Sequence, residues 1–119
     1  GLRGGGAAVS GGAERRRHVR IPLIAEIQYQ SNSPILAARI SDISNSGVFI
    51  DTVNALDLGA TVKFRLLLPA EISETPIVGE GVVAWRQQMM GMGLRFTRMN
   101  RPDWDRIVAY VNRMSGQPG

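Results

Sequence analysis

The sequence predicts a mainly β domain, in which six short antiparallel strands form a small barrel or sandwich and a single C-terminal helix docks on it. Three observations predict this. Apolar side chains recur at every second position through much of residues 21–97, the period of a half-buried strand. Clusters rich in Gly, Pro, Ser, Asn and Asp interrupt that alternation at short intervals, as turns do. At Asn100 the period changes to that of a helix. A chain of 119 residues is long enough to close one hydrophobic core and too short for two.

Residues 1–13 (GLRGGGAAVSGGA) carry almost no bulky apolar side chain, cannot offset their own ordering entropy, and read as a flexible lead or tag remnant. A charged segment, Glu14 to Arg20, follows. Pro22 biases its predecessor toward extended backbone and opens the first strand, where Leu23, Ala25, Ile27 and Tyr29 alternate with Ile24, Glu26 and Gln28. The cluster from Ser31 to Pro34 turns the chain into a second strand on Leu36, Ala38 and Ile40. Asp42 to Gly47 is a turn by composition, and Val48 to Thr52 is the third strand. Val62, Phe64, Leu66 and Leu68 form the fourth. Residues 77–85 form the fifth, in which Gly79 and Gly81 predict a bulge or sharp bend.

Arg86 to Gly91 is a hairpin connection, with Gly91-Met92-Gly93 read as a tight turn, and Met92, Leu94 and Phe96 belong to the sixth strand. Asn100 as cap, Pro102, and the carboxylates Asp103 and Asp105 mark a helix start. Trp104, Ile107, Val108, Val111 and Met114 then form one apolar stripe, which Gly116 and Pro118 end. The folded domain is therefore expected over residues 14–115, with 116–119 a flexible tail. Trp85 and Trp104 are expected to face the core.

The net charge of +4 is carried by one arm: residues 1–20 hold five arginines against Glu14, whereas residues 21–119 hold nine basic and nine acidic side chains. With no cysteine and only His18 as histidine, thiolate or His-rich metal sites and disulfide scaffolds are excluded. No apolar run approaches the roughly 18 residues of a membrane span. Acidic side chains are scattered singly apart from Asp103 and Asp105, and no HExxH, Walker loop or GxGxxG precedes a helix. The chain reads as a binder that needs no cofactor, not as an enzyme.

Two clusters could hold a ligand. Arg15, Arg16, Arg17 and Arg20 can grip phosphates bidentately and stack on flat bases; the plainer reading is a solvated charge run. In Asp42-Ile43-Ser44-Asn45-Ser46-Gly47 a carboxylate can accept two parallel hydrogen bonds, as guanine donates them, Ser44 adds a hydroxyl, and Gly47 lets a ligand approach the backbone. The plainer reading is a polar turn in which Asp42 makes an Asx-type bond and Gly47 takes a positive φ.

Together, R-x-x-x-R (Arg16 to Arg20) and, 22 residues after Arg20, D-x-S-x-x-G (Asp42 to Gly47), ahead of the strand series and helix, resemble the PilZ domain family in motif, order and spacing over about Glu14 to Met114. The resemblance implies a six-stranded antiparallel β-barrel that binds the bacterial second messenger cyclic di-GMP in the cytoplasm. It assigns Arg16 and Arg20 to phosphates and guanine edges, Asp42 and Ser44 to the other guanine edge, and Gly47 to backbone access. Arg15, just before the motif, implies an intercalated dimer of the ligand, whose four phosphate charges Arg15, Arg16, Arg17 and Arg20 would match. The arm is expected to order on the ligand and pass the change to an unidentified protein partner or attached domain. Two alternatives compete: a basic-armed nucleic-acid-binding barrel, disfavoured because residues 21–119 are neutral, and a ligand-independent PilZ-like adaptor, disfavoured because both motifs are intact.

Overall fold

The computed structural model describes residues 19–32 and 34–116. The strands are β1 (Ile21–Gln30), β2 (Leu36–Ile43), β3 (Gly47–Asp51), β4 (Thr61–Leu67), β5 (Ile77–Gln87) and β6 (Gly91–Met99), followed by one helix, α1 (Arg101–Met114). The strands close into a barrel in the order β1-β2-β3-β6-β5-β4, and every neighbouring pair is antiparallel. Closure leaves no unpaired strand edge. Of the two architectures the alternation allows, the barrel is the one formed.

The predicted inward positions fill it. Ile27, Ile40, Ile50, Val62, Leu66, Ile77 and Met92 are fully buried, and Tyr29, Phe64, Leu94 and Phe96 nearly so. Ile27 lies between Ala38 and Leu66, and Ile50 between Ile40 and Met92, so each layer of the core draws on consecutive strands of the barrel wall. The irregularity foreseen beside Gly81 is present, between Glu80 and Gly81, but the extra residue is Thr97 on the β6 side.

A second irregularity, between Ile40 and Asp42 in β2, positions the site. Ile40 and Ile43 are both buried although they lie three positions apart, an odd offset. The extra residue switches the side-chain parity and sends Asp42 to the outer face.

The helix begins as expected. Asn100 is extended at the cap, its side chain accepts from the Asp103 N–H at 2.9 Å, and Pro102 occupies the first turn. Ile107 and Val111 are buried against the barrel, whereas Met114 is exposed, because the helix ends at that residue beyond the barrel wall. Two other expectations are corrected. Gly91-Met92-Gly93 forms the first three residues of β6, and the hairpin turn is the tighter one closed by the Met90 N–H on the Gln87 carbonyl, with Met89 at a φ of 65°. Trp85 faces outward with 42% of its surface exposed, because the bulge between Val83 and Trp85 inverts its parity in the same way. Trp104, as expected, packs against the core, half-buried, and its indole also reaches the Asn45 carbonyl.

Ile107→Ala should lower the unfolding free energy by about 2–5 kcal/mol through a cavity between helix and barrel, while Ile24→Ala, at a position 71% exposed, should stay within about 0.5 kcal/mol. Denaturant titration of the two variants checks the pair; equal losses would contradict this account of the core.

Candidate functional site

The two sequence motifs meet on the outer face of the barrel. The β1–β2 register sets Pro22 opposite Asp42, so Arg20, two residues before Pro22, lies diagonal to Asp42 on the same face. Its Nη2 stands 3.0 Å from Asp42 Oδ1, with both side chains partly exposed. The contact is one of charge: Oδ1 is buried and accepts no directed hydrogen bond. Such a half-exposed pair is worth only about 0–1 kcal/mol. Asp42 makes no Asx-type bond, because it belongs to β2 and its carboxylate turns toward Arg20.

Behind this pair, Ser44 to Gly47 forms a tight turn. Ser44 is fully buried. Its hydroxyl oxygen accepts from the Ser46 and Gly47 N–H groups at 3.2 Å each and its O–H donates to the Gly47 carbonyl at 3.3 Å, while the Ser44 N–H donates to the same carbonyl at 2.8 Å. The hydroxyl therefore organises the turn from within. Gly47 opens β3 with no positive φ. The need for glycine comes from the opposite side: a Cβ there would lie 2.0 Å from the Leu94 carbonyl oxygen. That space belongs to β6, which corrects the positive-φ reading of Gly47.

Sequence reasoning missed the aromatic half of this face. Pairing runs in one row from Asp42 to Phe49, from Phe49 to Gly93 and from Gly93 to Trp85. Phe49 points outward yet is buried, because the Trp85 indole covers it, ring centroids 5.0 Å apart. The indole lies across Gly93, where a Cβ would come within 2.1 Å of its Nε1. Arg95, opposite Gly47 on β6, adds an exposed cation beside the turn. Phe49 is near the motif in the chain, but Trp85, Gly93 and Arg95 come from strands about 40–50 residues away, and only the register brings them together. The glycine at 93 was the available signal, since a residue without a side chain leaves room for a cross-strand aromatic.

Arg15 and Arg16 of the expected site lie outside the described residues, as do Arg17, His18, the 1–13 lead and most of the tail. A separate cleft of about 630 Å³, lined by Glu26, Gln28, Ala37, Arg39, Asp51 and Thr52 among others, lies further along β1–β3 and includes neither Arg20 nor Asp42. Among the described residues no three His, Asp or Glu side chains cluster as metal ligands, and no helix is long and apolar enough to cross a membrane.

A closed six-stranded antiparallel barrel followed by one C-terminal helix, with a residue of each sequence motif on its outer face, fits one known class of domain. The PilZ domain model matches residues 14–113, and the chain belongs to that family. Among solved structures it is similar to the Bacillus subtilis inhibitor of motility MotI/DgrA, with a TM-score of 0.69 at 19% identity over 82% of this chain and 49% of that one. It is also similar to the PilZ domain of CeSA from a cellulose-synthesizing bacterium, with a TM-score of 0.57 at 16% identity over 82% of this chain and 96% of that one. At these identities the likeness is one of fold, and the chain spans about half the length of MotI/DgrA. No curated protein matches it.

Ser44→Ala should destabilise the domain by about 1–3 kcal/mol, since it strips the buried Gly47 N–H and the part-buried Ser46 N–H of their acceptor. A change below about 0.5 kcal/mol in chemical denaturation would contradict the internal role given to the hydroxyl.

Proposed function

We propose that this domain is a receptor for cyclic di-GMP, binding it on the outer face formed by β1, β2, β3 and β6 without catalysis, metal or cofactor. The observation that carries the reading is the meeting of Arg20 and Asp42 at 3.0 Å, one from each family motif. Arg20 turns from the carboxylate to a ligand phosphate, a charge-assisted contact worth about 1.5–3 kcal/mol against the at most 1 kcal/mol or so of the exposed pair it replaces. Asp42 is then free to accept the adjacent N1 and N2 donors of guanine, an arrangement that adenine does not offer. Trp85, stacked over Phe49 and Gly93 in the same cross-strand row, offers an exposed π-face to a base, and Arg95 a further cation for phosphate. Arg16 supplies the second arginine of the motif, and Arg15 lays its guanidinium on an outer guanine, so that the bound species is an intercalated dimer.

The reading places the domain in the cytoplasm and makes residues 15–20 the segment that orders on the ligand, signalling to a protein partner or attached domain. The charge distribution supports a compact anionic ligand over a nucleic acid: beyond residue 20 the basic and acidic side chains are equal in number, whereas a nucleic-acid surface spreads its cations over a face.

Calorimetric titration should show binding of cyclic di-GMP in preference to cyclic di-AMP, and Arg20→Ala and Trp85→Ala should each weaken it by roughly tenfold or more. Parental affinity in Arg20→Ala would sink the site assignment.

The end point of the same titration should be two ligands per chain, falling toward one in Arg15→Leu while the site at Arg20 stays occupied. An end point of one in the parent, or no change in the variant, would remove Arg15 from the site.

A further inference from the structure

The turn that carries the motif is held from behind by the helix. Trp104, in the first turn of α1, donates its indole Nε1–H to the Asn45 carbonyl at 3.0 Å, across 59 residues of sequence. The neighbouring carbonyl, Ser46, accepts from the Phe96 N–H of β6 at 2.8 Å. Thus the carbonyls of Asn45 and Ser46, which alternate through the tip of the turn, are both held by the continuous β6–α1 segment.

The indole has a defined place. Its ring meets Phe96 edge-on, centroids 6.4 Å apart at 84°, and Phe96 packs in turn on Phe64 in the core at 5.5 Å. The helix start is fixed by the Asn100 cap four residues earlier. Trp104 has therefore little freedom to follow the turn if it moves, and the turn has little freedom to move without breaking this bond. Asn45 Oδ1, by contrast, is buried and accepts no hydrogen bond, so the Asn45 side chain gives the turn no comparable anchor.

We propose that Trp104 is a positioning residue for the ligand site, and that its bond to Asn45 couples occupancy of the Asp42–Gly47 motif to the docking of α1. The inference rests on the cyclic di-GMP reading above and extends it to the element that senses the ligand inside the domain. Coupling of this kind is reciprocal: whatever α1 docking contributes to ligand affinity, the ligand returns to α1 stability. The first turn of α1, which has no contact with the anion in this reading, would then carry the ligand's effect into the helix.

The test uses Trp104→Phe, which keeps an aromatic ring against Phe96 and removes the N–H donor together with the second ring of the indole, in the full chain. With the parent, cyclic di-GMP should slow amide hydrogen exchange across residues 101–114. Trp104→Phe should keep the far-ultraviolet spectrum of the parent and an unchanged stoichiometry, weaken cyclic di-GMP by roughly three- to tenfold, as the loss of one net hydrogen bond predicts, and lose the ligand-induced protection of α1. Should the variant fold poorly, the indole N–H resonance of Trp104 in the parent, assigned by comparison with Trp85→Phe, reads the same bond. It should shift and exchange more slowly on titration.

Parental affinity with intact α1 protection in Trp104→Phe, or an indole resonance that does not move while the parent binds, overturns the coupling and leaves the ligand reading standing. A parent that does not bind cyclic di-GMP overturns both.

Discussion

The close approach of β3 and β6 at Gly47 governs the rest of this site. With the Leu94 carbonyl 2.0 Å from where a Cβ would be, the two strands meet more closely than any side chain at position 47 permits. Because β6 is pressed against the turn, the Phe96 N–H reaches Ser46 and the indole of Trp104, carried a few residues further on, reaches Asn45. Ser44 can then be buried at no cost, since its hydroxyl and backbone find their partners inside the same turn. A larger residue at 47 would separate β3 from β6 and loosen every one of these bonds together.

The second constraint is parity. In a strand of strict period two, Ile40 and Asp42 would share a face, and a carboxylate would enter the barrel. The extra residue between them turns Asp42 outward and still lets Ile43 be buried. The same device at Val83–Trp85 sets the indole outside the barrel over Phe49. Both ends of this cross-strand row are thus made by bulges, which is how a closed barrel with a packed interior gathers a carboxylate and an indole on its exterior.

This also explains what could be read from the sequence. The six strands, the helix start at Asn100 and the two motifs were legible because each depends on residues near one another in the chain: alternation, a capping side chain, a fixed spacing. Asp42 and Arg20 could be paired only through the family resemblance, since nothing local relates positions 22 residues apart. Trp85 and the role of Gly47 were not legible. The bulge at Val83–Trp85 shifts parity by one in a stretch without Gly or Pro to mark it, so alternation alone sends Trp85 inward, and the reason for glycine at 47 lies in a carbonyl 47 residues further along. Trp104 was recognised as part of an apolar stripe, but its N–H partner is set by how β6 hands the chain to α1.

Charge and shape are divided between two parts of the chain, and the division carries a consequence for recognition. The excess of four positive charges lies within the first 20 residues, and the barrel that follows is neutral. A neutral barrel can attract an anion only weakly, but its serine turn, carboxylate and indole face are built into the fold and need no rearrangement of the core. An arginine arm can attract an anion strongly, but a guanidinium binds many phosphates alike. On the proposed reading, selectivity for a guanine nucleotide would reside in the barrel and strength in the arm. Arg20, at the boundary and already beside Asp42, is the one described residue that belongs to both.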